Sequence, residues 1–153
     1  MSLIKIIPLQ FSAVEELEIM LSIISNRFKI ETRLSTRPFD MTPYFNPVRS
    51  QYNANEIIQQ LVTSAGDDNK IVGITELDLF IPVLKYIFGQ AYLGGSAALV
   101  SGHRLHNSRY GLAEDPKLYS DRLLKCLIHE LGHAFGLKHC LKPGCVMVST
   151  TYV

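Results

Sequence analysis

The sequence lacks an excess of charge of either sign, a long apolar run and an even set of cysteines, and each absence closes a class. Fifteen Lys and Arg against fourteen Asp and Glu leave a formal charge of +1. A dedicated nucleic-acid binder concentrates basic residues to neutralise several phosphates, and no basic run is present, so nucleic acid is not an expected partner. No window approaches the roughly 18 uncharged apolar residues that a membrane helix requires. The opening MSLIKIIPLQFSAVEE is apolar in flavour, but Lys5 and Pro8 break it and Glu15 and Glu16 follow. That is not the core of a secretory signal, and no membrane association is expected. Three cysteines do not make a disulfide framework and fit a reducing compartment. A cytoplasmic monomer is the expectation.

What is present is an ordinary globular composition, 47% hydrophobic and 19% charged, over the length of one domain. Residues 3 to 9 read as a buried strand. SAVE, Ser12 to Glu15, matches a capping box, and Val14, Leu17, Leu21, Ile24 and Phe28 follow at helical spacing. KIETRL (29 to 34) alternates as a strand does, and residues 35 to 52 read as a loop. Asn53 caps a second helix with Ile57 and Leu61 inward, and KIVGITE forms a third strand. YIFGQAYL (86 to 93) and SAALVS (96 to 101) read as strands joined at Gly94 and Gly95. Asp115 and Pro116 open a last helix of about twenty residues. The predicted fold is α/β (α+β), one mixed twisted sheet flanked by helices, without internal repeats.

The chemistry gathers in that last helix, in IHELGHAFGLKHCLKPGCVM. His129 and His133 are four apart, about 40° around a helix, so both imidazoles project from one face toward one ion. Glu130 lies within reach of a water at that ion, whose proton a carboxylate can take. His139 points away if the helix continues, so the helix must end first, and Gly136 is the residue suited to end it. Three neutral nitrogen donors with an open position are how a catalytic zinc is held, whereas four protein ligands make a structural site. The chemistry implied is hydrolysis of a peptide or amide, with a peptide or protein substrate. A bare HExxH is often only a polar helix face, but HExxHxxGxxH fixes five residues.

That pattern is shared by the metzincin clan of zinc metallopeptidases, and the sequence resembles its archaemetzincin family. In that family a Cys follows the third histidine directly, a second Cys comes after four residues and a Met two further on, matching Cys140, Cys145 and Met147. RSQYNANEIIQQL (49 to 61), VGITELDLFIPVLKYIFGQA (72 to 91) and ALVSGHRL (98 to 105) extend the resemblance over most of the chain. It implies a metzincin-like domain over residues 1–153, divided into an N-terminal subdomain of about 1–136 and a short C-terminal one of about 137–153. His129, His133 and His139 are then the zinc ligands, Glu130 the general base and Met147 the Met-turn residue beneath the metal. The resemblance also implies that SAALVS is the upper edge strand of the cleft, along which an extended peptide adds.

The family usually carries an FCxxC element downstream, so that four thiolates hold a second, structural zinc. Here Cys140 and Cys145 supply two. Either the chain stops short of the family's tail, or the second site is absent, or other groups complete it. Cys126 reads as a small buried apolar residue, His103 and His106 as a solvated pair, and Tyr152 as an ordinary tail residue. Arg104, Glu76 and Asp78 read as structural. The alternative to an enzyme is a catalytically silent zinc-binding scaffold or partner-binding module. A peptidase with a glutamate as third ligand is disfavoured, because no acidic residue follows His133.

Overall fold

The computed structural model describes residues 2–66 and 68–149, so the reading of Tyr152 lies outside the described residues. In chain order the elements are β1 (Leu3–Pro8), α1 (Val14–Phe28), β2 (Glu31–Leu34), β3 (Phe45–Asn46), β4 (Gln51–Asn53), α2 (Ala54–Ala65), β5 (Lys70–Thr75), β6 (Leu79–Phe80), β7 (Gly89–Ala91), β8 (Ala97–Ser101) and α3 (Pro116–Ala134). Five strands make one sheet in the order β2-β1-β5-β8-β7. The first four run parallel and β7 turns back antiparallel to β8. The expected mixed sheet flanked by helices is the architecture observed.

Alternation along the strands divides the core in two. Ile4, Ile6, Val72, Ile74, Ala98 and Val100 face α1 and α3, against Leu17, Ile24, Leu123 and Leu127. Ile7, Ile71, Ala97 and Leu99 face the other way, against Ile57, Ile58 and Leu61 of α2. Each such Ile, Val or Leu side chain contributes about 1.5–3 kcal/mol by leaving water. Buried on both faces, β5 and β8 read as continuous apolar runs, as central parallel strands do.

The helix starts at α2 and α3 are those the sequence predicts. Asn53 accepts from the Glu56 N–H, and Asp115 accepts from the Leu118 N–H with Pro116 at the first helical position. The capping box at Ser12 does not form. The helix begins at Val14, Ala13 occupies the cap without a side-chain bond, and only the Ser12 carbonyl is used, by the Val14 N–H. The residue after the expected partner Glu15, Glu16, accepts from the Ser120 hydroxyl on α3, a long-range contact that a local motif does not foresee.

Two further expectations are corrected. The stretch from 35 to 52 is not all loop, because β3 pairs with β4, and β4 with β6, in a second, three-stranded sheet. Strands of two or three residues are too short to show a period. More important for the site, SAALVS is not an edge. β8 lies between β5 and β7, and the edge strand is β7, with which no strand pairs on its other side among the described residues.

Candidate metal centre

The helix carrying the histidines ends where the chemistry needs it to. Gly136 has a φ of +96°, the Leu137 N–H bonds to the Gly132 carbonyl and the Gly136 N–H to the His133 carbonyl, both at 2.9 Å. This is the Schellman arrangement, in which a left-handed residue turns the chain off the helix while satisfying its last carbonyls. The His133 carbonyl also accepts from the Gly94 N–H at 2.8 Å, which ties the turn between β7 and β8 to the helix end. Released from the helix, the chain brings His139 back, and donor atoms of His129, His133 and His139 all lie within 4.8 Å of one another.

Hydrogen bonds fix two of the rings. Nδ1 of His129 lies 2.7 Å from the Val146 carbonyl oxygen, and Nδ1 of His133 lies 2.7 Å from that of Leu137. A carbonyl only accepts, so each Nδ1 carries a proton, and in the neutral ring Nε2 is then left with a lone pair. Those Nε2 atoms face each other at 3.2 Å. Two lone pairs so placed repel unless a cation lies between them, and tetrahedral Zn–N bonds of about 2.05 Å put neighbouring nitrogens about 3.3 Å apart. The imidazole with an outward-fixed tautomer and a carbonyl behind it is the usual form of a metal-ligating histidine. Burial holds His129 below its ordinary pKa, aided by the neighbouring His133, His139 and Lys125 charges and opposed by the Val146 bond. The donor set therefore fits a metal ion.

Glu130 is 9% exposed. It makes no hydrogen bond among the described residues, and its Oε1 stands 3.9 Å from Nε2 of His129. Burial pushes its carboxyl up to about 8. An unpaired, buried carboxylate next to converging nitrogen donors is costly, and such groups mark reactive sites.

Two glycines that spacing did not single out make room for this arrangement. A Cβ on Gly132 would lie 2.6 Å from Sδ of Met147, so the 4%-exposed methionine packs directly under the histidine-bearing turn because residue 132 has no side chain. A Cβ on Gly89 of β7 would lie 2.8 Å from Cγ of Glu130. The available signal was the glycine inside HELGH, which costs a helix about 1 kcal/mol and so asks for a packing reason.

The other predicted residues are placed as follows. Met147 also accepts the Cys140 N–H through its carbonyl, at 2.9 Å. Cys140 and Cys145 are half-buried and free, and no third histidine, cysteine or carboxylate joins them among the described residues. Cys126 is buried, as expected, and its burial pushes the thiol up to about 12. Arg104 grips Asp78 with two nitrogens at 2.8 Å, a structural pair as expected. His103 and His106 are not a solvated pair. His103 reaches the Glu76 carbonyl at 3.1 Å, while His106 meets the Glu76 carboxylate at 3.2 Å and stacks on Tyr119, ring centres 4.0 Å apart.

A cleft of about 690 Å³ opens over the histidines, between Leu84–Ala91, α3 and Val146–Ser149. Its upper wall is the free edge of β7. The Ser101 N–H bonds to the Phe88 carbonyl at 2.8 Å. By the alternation of antiparallel pairing, Gln90 also turns to β8, and Gly89 and Ala91 present their N–H and C=O groups outward.

Residues 8–153 match the model of peptidase family M54. The chain belongs to that family. It is 37% identical over 141 residues to the archaemetzincin of Methanopyrus kandleri, covering 92% of this chain and 75% of that one. With the archaemetzincin of Pyrococcus furiosus it shares 45% over 101 residues, 65% of this chain and 53% of the other. The crystal structure of the Archaeoglobus fulgidus archaemetzincin, complexed with malonate, superposes with a TM-score of 0.83 at 29% identity, over 98% of this chain and 87% of that one. A zinc-dependent peptidase from Methanocorpusculum labreanum superposes at 0.84 with 28% identity, over 97% and 89%. The archaemetzincin resemblance read from the motif is thus shown, and the family is one of hydrolases. Among the described residues no helix is long and apolar enough to cross a membrane.

Proposed function

We propose that this member of family M54 is a zinc-dependent peptidase in which His129, His133 and His139 hold the metal and Glu130 is the general base. The observation that carries the reading is the pair of Nε2 atoms facing at 3.2 Å beside a buried carboxylate that has no hydrogen-bond partner among the described residues. Three imidazoles accept several divalent ions, and zinc is chosen because the structurally similar peptidase of Methanocorpusculum labreanum is zinc-dependent. Zinc, when bound, supplies Lewis-acid polarisation of the scissile carbonyl and acidifies water.

The chain's own residues do the rest. Gly89 and Ala91 offer backbone donors and acceptors to an extended peptide, which adds to β7 as a further strand and lies across the histidines. Glu130 takes the proton of the attacking water and passes it to the leaving amine, and the apolar walls of the cleft keep bulk water from competing. Val146 and Leu137 hold the two ring tautomers, and Met147 under Gly132 serves as the Met-turn residue. The segment from 137 onward, which supplies His139, Val146 and Met147, acts as a short C-terminal subdomain below the cleft. Cys140 and Cys145 are assigned no catalytic part. A silent scaffold has no use for Glu130, and the open cleft gives no reason to prefer it.

Metal analysis of the purified protein with hydrolysis of a peptide library tests the proposal. Glu130→Ala should keep its zinc and lose about 10²- to 10⁴-fold in cleavage, the range a general base contributes. Cleavage surviving that change sinks the mechanism.

A further inference from the structure

The chain as a whole is almost neutral, but the cleft is not. Three lysines line it, Lys85, Lys125 and Lys138, and the one acidic residue lining it is Glu130 on its floor. The lysines come from three separate elements: the segment entering β7, the middle of α3, and the loop just before His139. All three are exposed, and none has a carboxylate within salt-bridge distance among the described residues. Asp121, one helical turn before Lys125 and its natural neighbour, is engaged by Lys117 at 3.0 Å instead. From Lys125 to the end of α3 is about 14 Å along the axis, with His129 and His133 between. Lys138 lies beyond that end. An extended peptide covers the same span with about four residues.

We infer that the cleft takes peptides bearing carboxylate groups within a few residues of the scissile bond. The inference rests on the peptidase reading for the words "scissile bond", but the recognition is electrostatic and does not require turnover. Unpaired ammonium groups around an apolar-walled groove focus positive potential into it, which attracts anionic ligands and repels cationic ones. The carboxylates can be Asp or Glu side chains or the free C-terminus of a short peptide. Both are the same chemistry to a lysine, which acts as a point charge without bidentate geometry. Each exposed pair is worth about 1.5- to 5-fold in affinity, so two or three together favour the acidic ligand about tenfold.

Binding of labelled peptides to the zinc-loaded Glu130→Gln protein, followed by fluorescence anisotropy, decides it. Four peptides share one apolar core: one blocked at both ends and neutral, one blocked with two Glu, one with a free C-terminal carboxylate, and one blocked with two Lys. The expected result is Kd about tenfold lower for a carboxylate-bearing peptide than for the neutral one, a weaker Lys peptide, and a gap that narrows as salt is raised. Whichever of the second and third peptides shows the gain identifies the source. Lys125→Glu combined with Lys138→Glu should abolish or reverse the preference. Arg33→Glu, the same charge change on β2 at the opposite edge of the sheet from β7, should leave it in place. Equal affinities, a preference for the Lys peptide, or no binding of any peptide up to millimolar concentration overturns the inference. Cleavage of the same peptides by the unsubstituted protein separates the two readings. Preferential binding without cleavage sinks the peptidase and leaves the carboxylate-binding groove, whereas cleavage without preference does the reverse.

Discussion

The two ends of α3 use the same residue types to opposite effect. Near its start, Tyr119 donates to Glu76, whose other oxygen meets Nε2 of His106 at 3.2 Å, and Nδ1 of that histidine lies 3.6 Å from Glu114. Glu114 in turn accepts from the Ser108 N–H at 2.9 Å. Each of these polar groups has a partner inside the protein. Near the helix end, His129 and His133 use one nitrogen each for a backbone carbonyl and aim the other at a common point, and Glu130 is bonded to nothing described. A histidine–carboxylate cluster that satisfies itself is structure. One that leaves lone pairs converging has kept its capacity for something from outside. Relative to a paired network it costs stability in the empty protein, and that cost is measurable.

The largest expected effect breaks the comparison at its reactive end. His129→Ala removes one of the three proposed ligands and strands the Val146 carbonyl, so zinc affinity should fall beyond the 10- to 100-fold that loss of an outer-sphere partner costs. His106→Ala, the same change at the self-satisfied end, should leave zinc affinity unaltered. Competition against a chromogenic chelator reads both. Equal losses from the two substitutions would mean that the histidines near 129 are no more a metal site than those near 106.

A second prediction concerns the unpaired carboxylate. Its ordinary value is 4.5 and burial raises it to about 8 in the fold. Between those values the folded chain holds a proton that the unfolded chain has released, so stability falls as pH rises through that window. Glu130→Gln removes the penalty. The metal-free variant should be more stable than the metal-free parent by about 3 kcal/mol at pH 7, with the two converging below about pH 4.5. Urea unfolding at pH 4.5 and pH 7 measures it. A gap independent of pH would show that ionisation of Glu130 is not its source.

The third prediction tests the packing beneath the ligands. Ala is a better helix former than Gly by about 1 kcal/mol, but at position 132 its methyl group meets Sδ of Met147 at 2.6 Å. Overpacking of this kind costs about 1–3 kcal/mol. Gly132→Ala should therefore destabilise by up to about 2 kcal/mol net and loosen zinc binding. The double change Gly132→Ala with Met147→Ala should recover part of the zinc affinity although it shortens a buried side chain.

How much of this was readable in the sequence follows from range. The convergence of three histidines was readable because it depends on helical angle and one glycine, both local. Caps at Asn53 and Asp115 were readable for the same reason, while Ser12 lost its cap because α1 starts one residue later than that cap requires, with Ala13 in the cap position. Strand order was not readable. β8 and β7 are both short apolar runs, and which of them is the edge depends on β5 arriving from elsewhere in the chain to pair with β8. The roles of Gly89 and Gly132 are facts about empty space, set by Glu130 and Met147 from other segments. His106 was misread for a related reason, since Glu76 and Tyr119, its partners, are 30 and 13 positions away in the chain.

The smallest expected effect lies at the structural end, and its smallness is what gives the comparison content. Burial and the Glu76 carboxylate hold the Tyr119 phenol well above its usual pKa, so it remains a donor throughout the accessible pH range. Gly102 makes room for the phenol hydroxyl, since a Cβ at that position would clash with it. Tyr119→Phe deletes one hydrogen bond to a charged group, worth about 1.5–3 kcal/mol. Glu76 is part-exposed and keeps His106 and water as partners, which places the loss at about 1.5 kcal/mol. Zinc stoichiometry and peptide cleavage should be unchanged, because Tyr119 stands ten residues, about 15 Å along the helix, from His129. A thermal unfolding curve displaced downward with kcat/KM intact is the expected pair of results. If kcat/KM fell with stability, the two ends of α3 would be coupled, and the cluster at Glu76 would have to be counted among the groups that position the histidines.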